Sequence, residues 1–214
     1  MTNIIEINNL SKKYNQNKNL NVLKNLNFKF KKGKIYSLIG PSGSGKSTLL
    51  NLLSLIDKPS NGKIKINEKV IDFNEKKNND QIRANEIGII YQDKNLLTDF
   101  TALENVYLAR LNTVSDKSVA LNDAKRIISK VGLSNRINHF PSELSGGESQ
   151  RIAICRALVN SPNIILADEP TGNLDYKNAK EIFKMFISLK NKDRILIFAT
   201  HNRYFANKAD CKIE

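Results

Sequence analysis

Apolar residues recur at every second position in the first part of this chain and at every third or fourth position later. Residues 4–10 (IIEINNL) and 22–30 (VLKNLNFKF) carry them at near-alternate positions, which predicts two strands with residues 11–21 as the loop between them. Residues 34–40 (KIYSLIG) read as a short buried strand and 47–56 as a helix. Residues 62–67 (GKIKIN) alternate again, 74–80 (NEKKNND) form a polar surface connection, and 86–92 (EIGIIYQ) form another buried strand. From about 93 to 160 the period turns helical. Thr101 and Glu104 fit a capping box ahead of Leu103, Val106, Tyr107 and Leu111. Ala120, Ala124, Ile127, Ile128 and Val131 continue at helical spacing as far as Gly132. Two apolar strands follow, 163–168 (NIILAD) and 194–200 (RILIFAT). The helix between them carries Ile182, Phe183, Phe186 and Leu189 as one core-facing stripe. The pattern predicts a single domain over 1–214: an α/β core of mixed sheet flanked by helices, an N-terminal antiparallel β region, and a helical insert at about 93–160.

A chain of 214 residues with 40% hydrophobic and 26% charged residues is long enough to bury a real core. It contains no apolar run near the roughly 20 residues that span a bilayer, and its start lacks an apolar signal segment, so the expectation is a chain neither secreted nor membrane-spanning. Cys155 and Cys211 show no metal or disulfide spacing, which suits a reducing compartment. The net charge of +13 raises nucleic-acid binding as a function class. The lysines are scattered, however, without the interleaved aromatics of single-strand binders, so no nucleic-acid partner is expected. Attraction to an anionic membrane surface is compatible with the same charge.

Three short strings carry chemistry. Gly40-Pro41-Ser42-Gly43-Ser44-Gly45-Lys46-Ser47, followed by Thr48, matches G-x-x-x-x-G-K-[ST] and sits between a predicted strand and a predicted helix. Glycines let such a backbone wrap phosphates with its N–H groups turned inward, and the helix start adds partial positive charge. Lys46 would reach the β- and γ-phosphates of ATP, and the Ser47 hydroxyl would hold Mg²⁺. Asp168 and Glu169 end the strand of Ile164–Ala167, at the edge where open α/β sheets bind ligands. Asp168 would bind Mg²⁺, and Glu169 would act as general base toward the attacking water. In Leu144-Ser145-Gly146-Gly147-Glu148, Ser145 and Glu148 form a second capping box. Paired glycines are not needed merely to start a helix and cost about 1 kcal/mol each within one, so Gly146 and Gly147 suggest close approach to a ligand.

With the phosphate loop, LSGGE and IILADEP assembled, the chain resembles the ATP-binding cassette ATPases over essentially its whole length. The resemblance implies further roles. Tyr14 would stack on adenine. Gln92 would contact Mg²⁺ and the attacking water and sense a transport partner. Asp175 would communicate across a dimer, and His201 would contact the γ-phosphate. It also implies that Ser145, Gly146 and Gly147 of a second copy complete each ATP site. His139 matches no family role and is read as structural or surface. Within the superfamily, NLLTDFTALENV (95–106), residues 140–175 and THN (200–202) are most similar to the lipoprotein-releasing ATPases of Gram-negative inner membranes. Macrolide exporters and division-associated cassettes share DEPTGNLD, and chromosome- or ribosome-acting cassettes are a more distant alternative. The implied partners are integral membrane subunits, with a lipoprotein as indirect cargo, at the cytoplasmic face of the inner membrane. Leu96, Leu97, Phe100 and Leu103 are the expected docking residues. The chain departs from the pattern at Asn202, where these relatives usually carry Asp, at Ser149, where a basic residue is common, and in stopping at Glu214 before a usual final hairpin.

Overall fold

The structure, a computed structural model, describes residues 3–14 and 20–214. Strand directions segregate into two sheets. β1 (Asn3–Tyr14), β2 (Leu20–Lys31), β4 (Asn61–Ile66) and β5 (Lys69–Val70) form an antiparallel sheet in the order β2-β1-β4-β5. β3 (Ile35–Leu38), β6 (Ile87–Ile90), β7 (Ile164–Asp168), β8 (Ile195–Ala199) and β9 (Cys211–Ile213) form a parallel sheet in the order β6-β7-β8-β3-β9. The core sheet is thus parallel throughout rather than mixed, the antiparallel pairs all lying in the other sheet. Its central strands β7 and β8 are almost continuous apolar runs because both of their faces are covered.

Alternation along the strands sorts their side chains between two cores. Ile164 and Leu166 of β7 and Ile195 and Ile197 of β8 face α1 (Lys46–Leu53), whose Leu49, Leu50, Leu52 and Leu53 fill the space under the antiparallel sheet. On the opposite face Ile165, Ala167, Leu196 and Phe198 meet Ile182, Phe183 and Phe186 of α6 (Tyr176–Ser188) and Phe205 of α7 (Arg203–Ala206). A third core joins α3 (Ala102–Leu111), α4 (Lys117–Lys130) and α5 (Gly146–Leu158) through Val106, Ala124, Ile128, Ile152 and Cys155. Helix α5 belongs to two cores, since its Ile154 packs against the sheet while Ile152 and Cys155 face α3 and α4. Burial pushes the Cys155 thiol up to about 12, so it is an inert core group. Gly88 of β6 allows the close approach of α5: a Cβ there would lie 2.4 Å from the Ala157 carbonyl oxygen.

Two expectations fail locally. Residues 11–14 continue β1 rather than opening a loop, because Lys12, Lys13 and Tyr14 pair with Leu23, Asn21 and Leu20 of β2; residues 20–21 of the expected loop thus belong to β2, and 15–19 lie outside the described residues. The polar stretch at 74–80 leads directly into α2 (Lys76–Glu86), a helix whose single buried residue, Asn79, donates to the Asp72 carbonyl. With so few apolar residues, that helix gives no periodic signal.

Candidate ATP site

The parallel sheet brings the separate motifs to one edge. Register sets Leu38 level with Ala199, and Ala199 level with Asp168, while Ile90 pairs with Ala167. The residues that follow these strand ends are therefore neighbours. They are the phosphate loop after β3, Thr200 and His201 after β8, Glu169 after Asp168, and Gln92 after β6. None of these groups is close in sequence, and only the parallel register assembles them.

The loop from Gly40 to Gly45 wraps tightly. Gly40, Gly43 and Gly45 have φ of 154°, 82° and 93°, in the region that glycine alone enters freely. Gly45 is the N-cap of α1, and Lys46 and Ser47 begin the helix. The Lys46 ammonium donates to the carbonyls of Gly40 and Pro41, at 2.8 Å each, and to Ser44 Oγ at 3.3 Å. These contacts fold the side chain back across its own loop. A cavity of about 710 Å³ opens beside it, lined by Gly40, Pro41, Ser44, Gly45, Lys46 and His201 among others. Ser42, Ser47 and Thr48 lie around the same turn.

Glu169 sits at φ 44° with its carboxylate mostly buried. Its Oε1 accepts from the His201 backbone N–H at 2.8 Å and lies 2.7 Å from His201 Nδ1, and its Oε2 accepts from Thr200 Oγ1 at 3.1 Å. The carboxylate is thus locked onto the end of β8, with the His201 ring exposed beyond it. Gln92 is exposed and donates to Asn173 Oδ1 at 3.2 Å, while Asn173 donates to Asp93 at 2.9 Å. Ser47, Gln92 and Asp168 offer hydroxyl, amide and carboxylate oxygens, the donor chemistry Mg²⁺ prefers. No cluster of three or more His, Cys, Asp or Glu suited to a metal exists among the described residues.

Ser145, Gly146 and Gly147 lie elsewhere. Ser145 caps α5: its hydroxyl accepts from Glu148 N–H at 3.3 Å, and Glu148 Oε2 accepts from Ser145 N–H at 2.8 Å. The Ser145 N–H and hydroxyl, with Arg136 at 2.9 Å, hold the Glu148 carboxyl down at about 2. Ser145 and Gly146 are exposed. None of Ser145, Gly146 or Gly147 lines the phosphate-loop cavity. A Cβ at Gly147 would lie 3.0 Å from Asn178 Oδ1, a tight contact with a side chain of α6. Asp175 caps α6 through the N–H groups of Lys177 and Asn178. Asn202 caps α7, accepting from Tyr204 and Phe205, so its amide suffices where an acid was expected. Buried Ser149 needs no charge. His139 lies 3.2 Å from an Arg136 guanidinium nitrogen, a structural contact.

Of the expected docking residues, Leu97 and Phe100 are exposed, whereas Leu96 and Leu103 pack against the helical core. Asn105, which the pattern did not single out, organises this loop. Its buried amide accepts from Leu97 N–H and donates to the carbonyls of Leu97, Phe100 and Thr101. An Asn at a core position of a predicted helix was the available signal.

Fold and site together define a P-loop nucleotide-hydrolysing protein. A family profile described as ABC transporter matches residues 23–172, and the chain belongs to that family as an ATP-binding cassette ATPase. It is 46% identical over 209 residues to the lipoprotein-releasing system ATP-binding protein LolD of Rickettsia bellii, covering 97% of this chain and 92% of that one. The Ehrlichia canis protein of the same description is 44% identical, covering all of this chain and 95% of that one. Among solved structures, the dimeric bacterial ABC transporter cassette MJ0796 superimposes with a TM-score of 0.88 at 34% identity, covering 98% of this chain and 96% of that one.

Proposed function

We propose that this chain is the ATP-hydrolysing subunit of a lipoprotein-releasing transport complex, acting as a dimer at the cytoplasmic face of a bacterial inner membrane. Near-full-length similarity to ATPases of lipoprotein-releasing systems is the observation that carries this reading. No helix among the described residues is long and apolar enough to cross a membrane, so movement of a lipoprotein requires integral membrane partners.

In this reading Gly40–Thr48 hold the triphosphate, and Tyr14 stacks on the base. Ser47, Gln92 and Asp168 hold Mg²⁺, which neutralises charge on the phosphate oxygens when bound. Glu169, held by Thr200 and the His201 N–H, takes the proton of the attacking water, and His201 reaches the γ-phosphate. Ser145, Gly146 and Gly147 of the partner subunit cover the opposite side of the nucleotide. The separation of these residues from the phosphate-loop cavity, and the exposed, capped helix start they form, support that completion in trans. Leu97 and Phe100, both exposed, supply apolar surface for a membrane subunit.

The test is reconstitution. Glu169→Gln protein is purified with ATP from its native membranes, and the wild-type complex is then assayed for ATP-dependent release of an acylated lipoprotein from proteoliposomes. Co-purified integral membrane proteins with lipoprotein release are expected. A different cargo moves the function to a sister exporter, and recovery of nucleic acid or ribosomes without membrane proteins refutes the transport reading.

A further inference from the structure

Beyond the phosphate loop, a second polar network is built around Tyr14. Lys12, almost fully buried, donates from Nζ to Asp57 Oδ1 at 2.6 Å and to the Lys58 carbonyl at 2.7 Å. Tyr14 donates its hydroxyl to Asp57 Oδ2 at 2.8 Å. The Asp57 carboxylate is saturated further by the Lys58 N–H at 2.7 Å. Burial would raise its pKa, but the bonds from Lys12, Tyr14 and Lys58 outweigh that and hold the carboxyl below its ordinary range. Lys12 Nζ also stands over the Tyr14 ring, 4.7 Å from its centroid. Asp57 follows α1, its N–H donating to the Asn51 carbonyl at 3.1 Å. The aromatic ring on β1 is therefore tied to the same helix whose start forms the phosphate loop.

We infer that Asp57 is a positioning residue for the nucleotide base: it fixes the Tyr14 ring through its hydroxyl, and Lys12, paired with the same carboxylate, stands over one face of that ring. The inference rests on the proposed stacking role of Tyr14. A ring that only stacked would need no hydroxyl, whereas here the hydroxyl is the anchor. A carboxylate-accepted bond of this kind orients the ring before the nucleotide arrives, which lowers the ordering cost of binding.

The experiment compares Tyr14→Phe, Tyr14→Ala, Asp57→Asn and the Tyr14→Phe/Asp57→Asn double variant. Each is assayed for ATP turnover and for inhibition by inorganic tripolyphosphate, which engages the phosphate loop but has no base. Tyr14→Phe keeps the Lys12–Asp57 pair and removes the hydroxyl that bonds Asp57, together with its contact to Thr48. It is expected to raise KM for ATP about fivefold with kcat within about twofold, and to leave tripolyphosphate inhibition unchanged. Asp57→Asn is expected to raise KM in the same direction and to add little in the double variant, because it acts through the Tyr14 hydroxyl. If Tyr14→Ala raises KM but Tyr14→Phe does not, the anchoring inference is overturned while the stacking role survives. If Tyr14→Ala leaves KM unchanged, the stacking role itself fails. Additive effects in the double variant, or weakened tripolyphosphate inhibition, would make Asp57 a general structural residue and refute the inference.

Discussion

Replacing Glu169 by Gln changes one oxygen to an amide nitrogen and leaves the size of the side chain intact. The structure sets what is lost. Oε1 accepts from the His201 N–H, and Oε2 accepts from Thr200. A glutamine keeps the first acceptor and can donate to the Thr200 hydroxyl instead, so the fold and the loop geometry are retained. The φ of 44° at this position penalises any non-glycine residue similarly, so backbone strain is unchanged by the substitution. What disappears is the carboxylate, the proposed proton acceptor. General-base catalysis contributes about 10²–10⁴-fold, equivalent to about 2.7–5.4 kcal/mol of barrier. Phosphate release should fall by that factor, while ATP binding through Lys46 and the loop persists. With turnover blocked, ATP should accumulate in a closed dimer, visible as an ATP-dependent shift in size-exclusion chromatography with light scattering. Wild-type turnover by the purified variant would refute the role of Glu169, and slowed turnover without ATP-dependent dimerisation would refute the completion of the site by a second copy.

Three further outcomes are expected. Phe186→Ala removes a fully buried ring packed on Phe183 and Phe198 and should cost about 3–5 kcal/mol in urea unfolding. Gly88→Ala drives a methyl group to 2.4 Å from the Ala157 carbonyl and should lower the thermal midpoint by pushing α5 from the sheet, an effect that a surface substitution such as Lys184→Ala should not reproduce. Glu148 has a depressed folded-state pKa, so its contribution to stability is complete above the ordinary carboxylate range and is lost as pH falls from there through about 2. Stability measured by denaturant titration between pH 5 and pH 2.5 should therefore fall less in Glu148→Gln than in the parent.

Periodicity along the chain located the buried parallel strands, because runs such as IILAD and ILIFA face a core on both sides and leave little else they could be. The capping boxes at Thr101–Glu104 and Ser145–Glu148 were legible for the same kind of reason: their hydrogen bonds close within three residues. Helix α2 was not legible, having almost no buried side chain to set a period. The continuation of β1 through Tyr14 was hidden because Ser11–Tyr14 carry no apolar alternation: the segment is held by its ladder to β2 and by polar bonds to Asp57.

Residue order alone set the chemical inventory, since the phosphate loop needs its glycines, lysine and serine in one short segment and the backbone there folds locally. It could not say which carboxylate meets which partner. That was decided by the parallel register, which sets Asp168, Ala199 and Leu38 level and so delivers Glu169 to Thr200 and His201. Tertiary structure also kept Ser145 away from the phosphate loop of its own chain, because α5 is committed to two cores whose positions follow from packing rather than from any local signal.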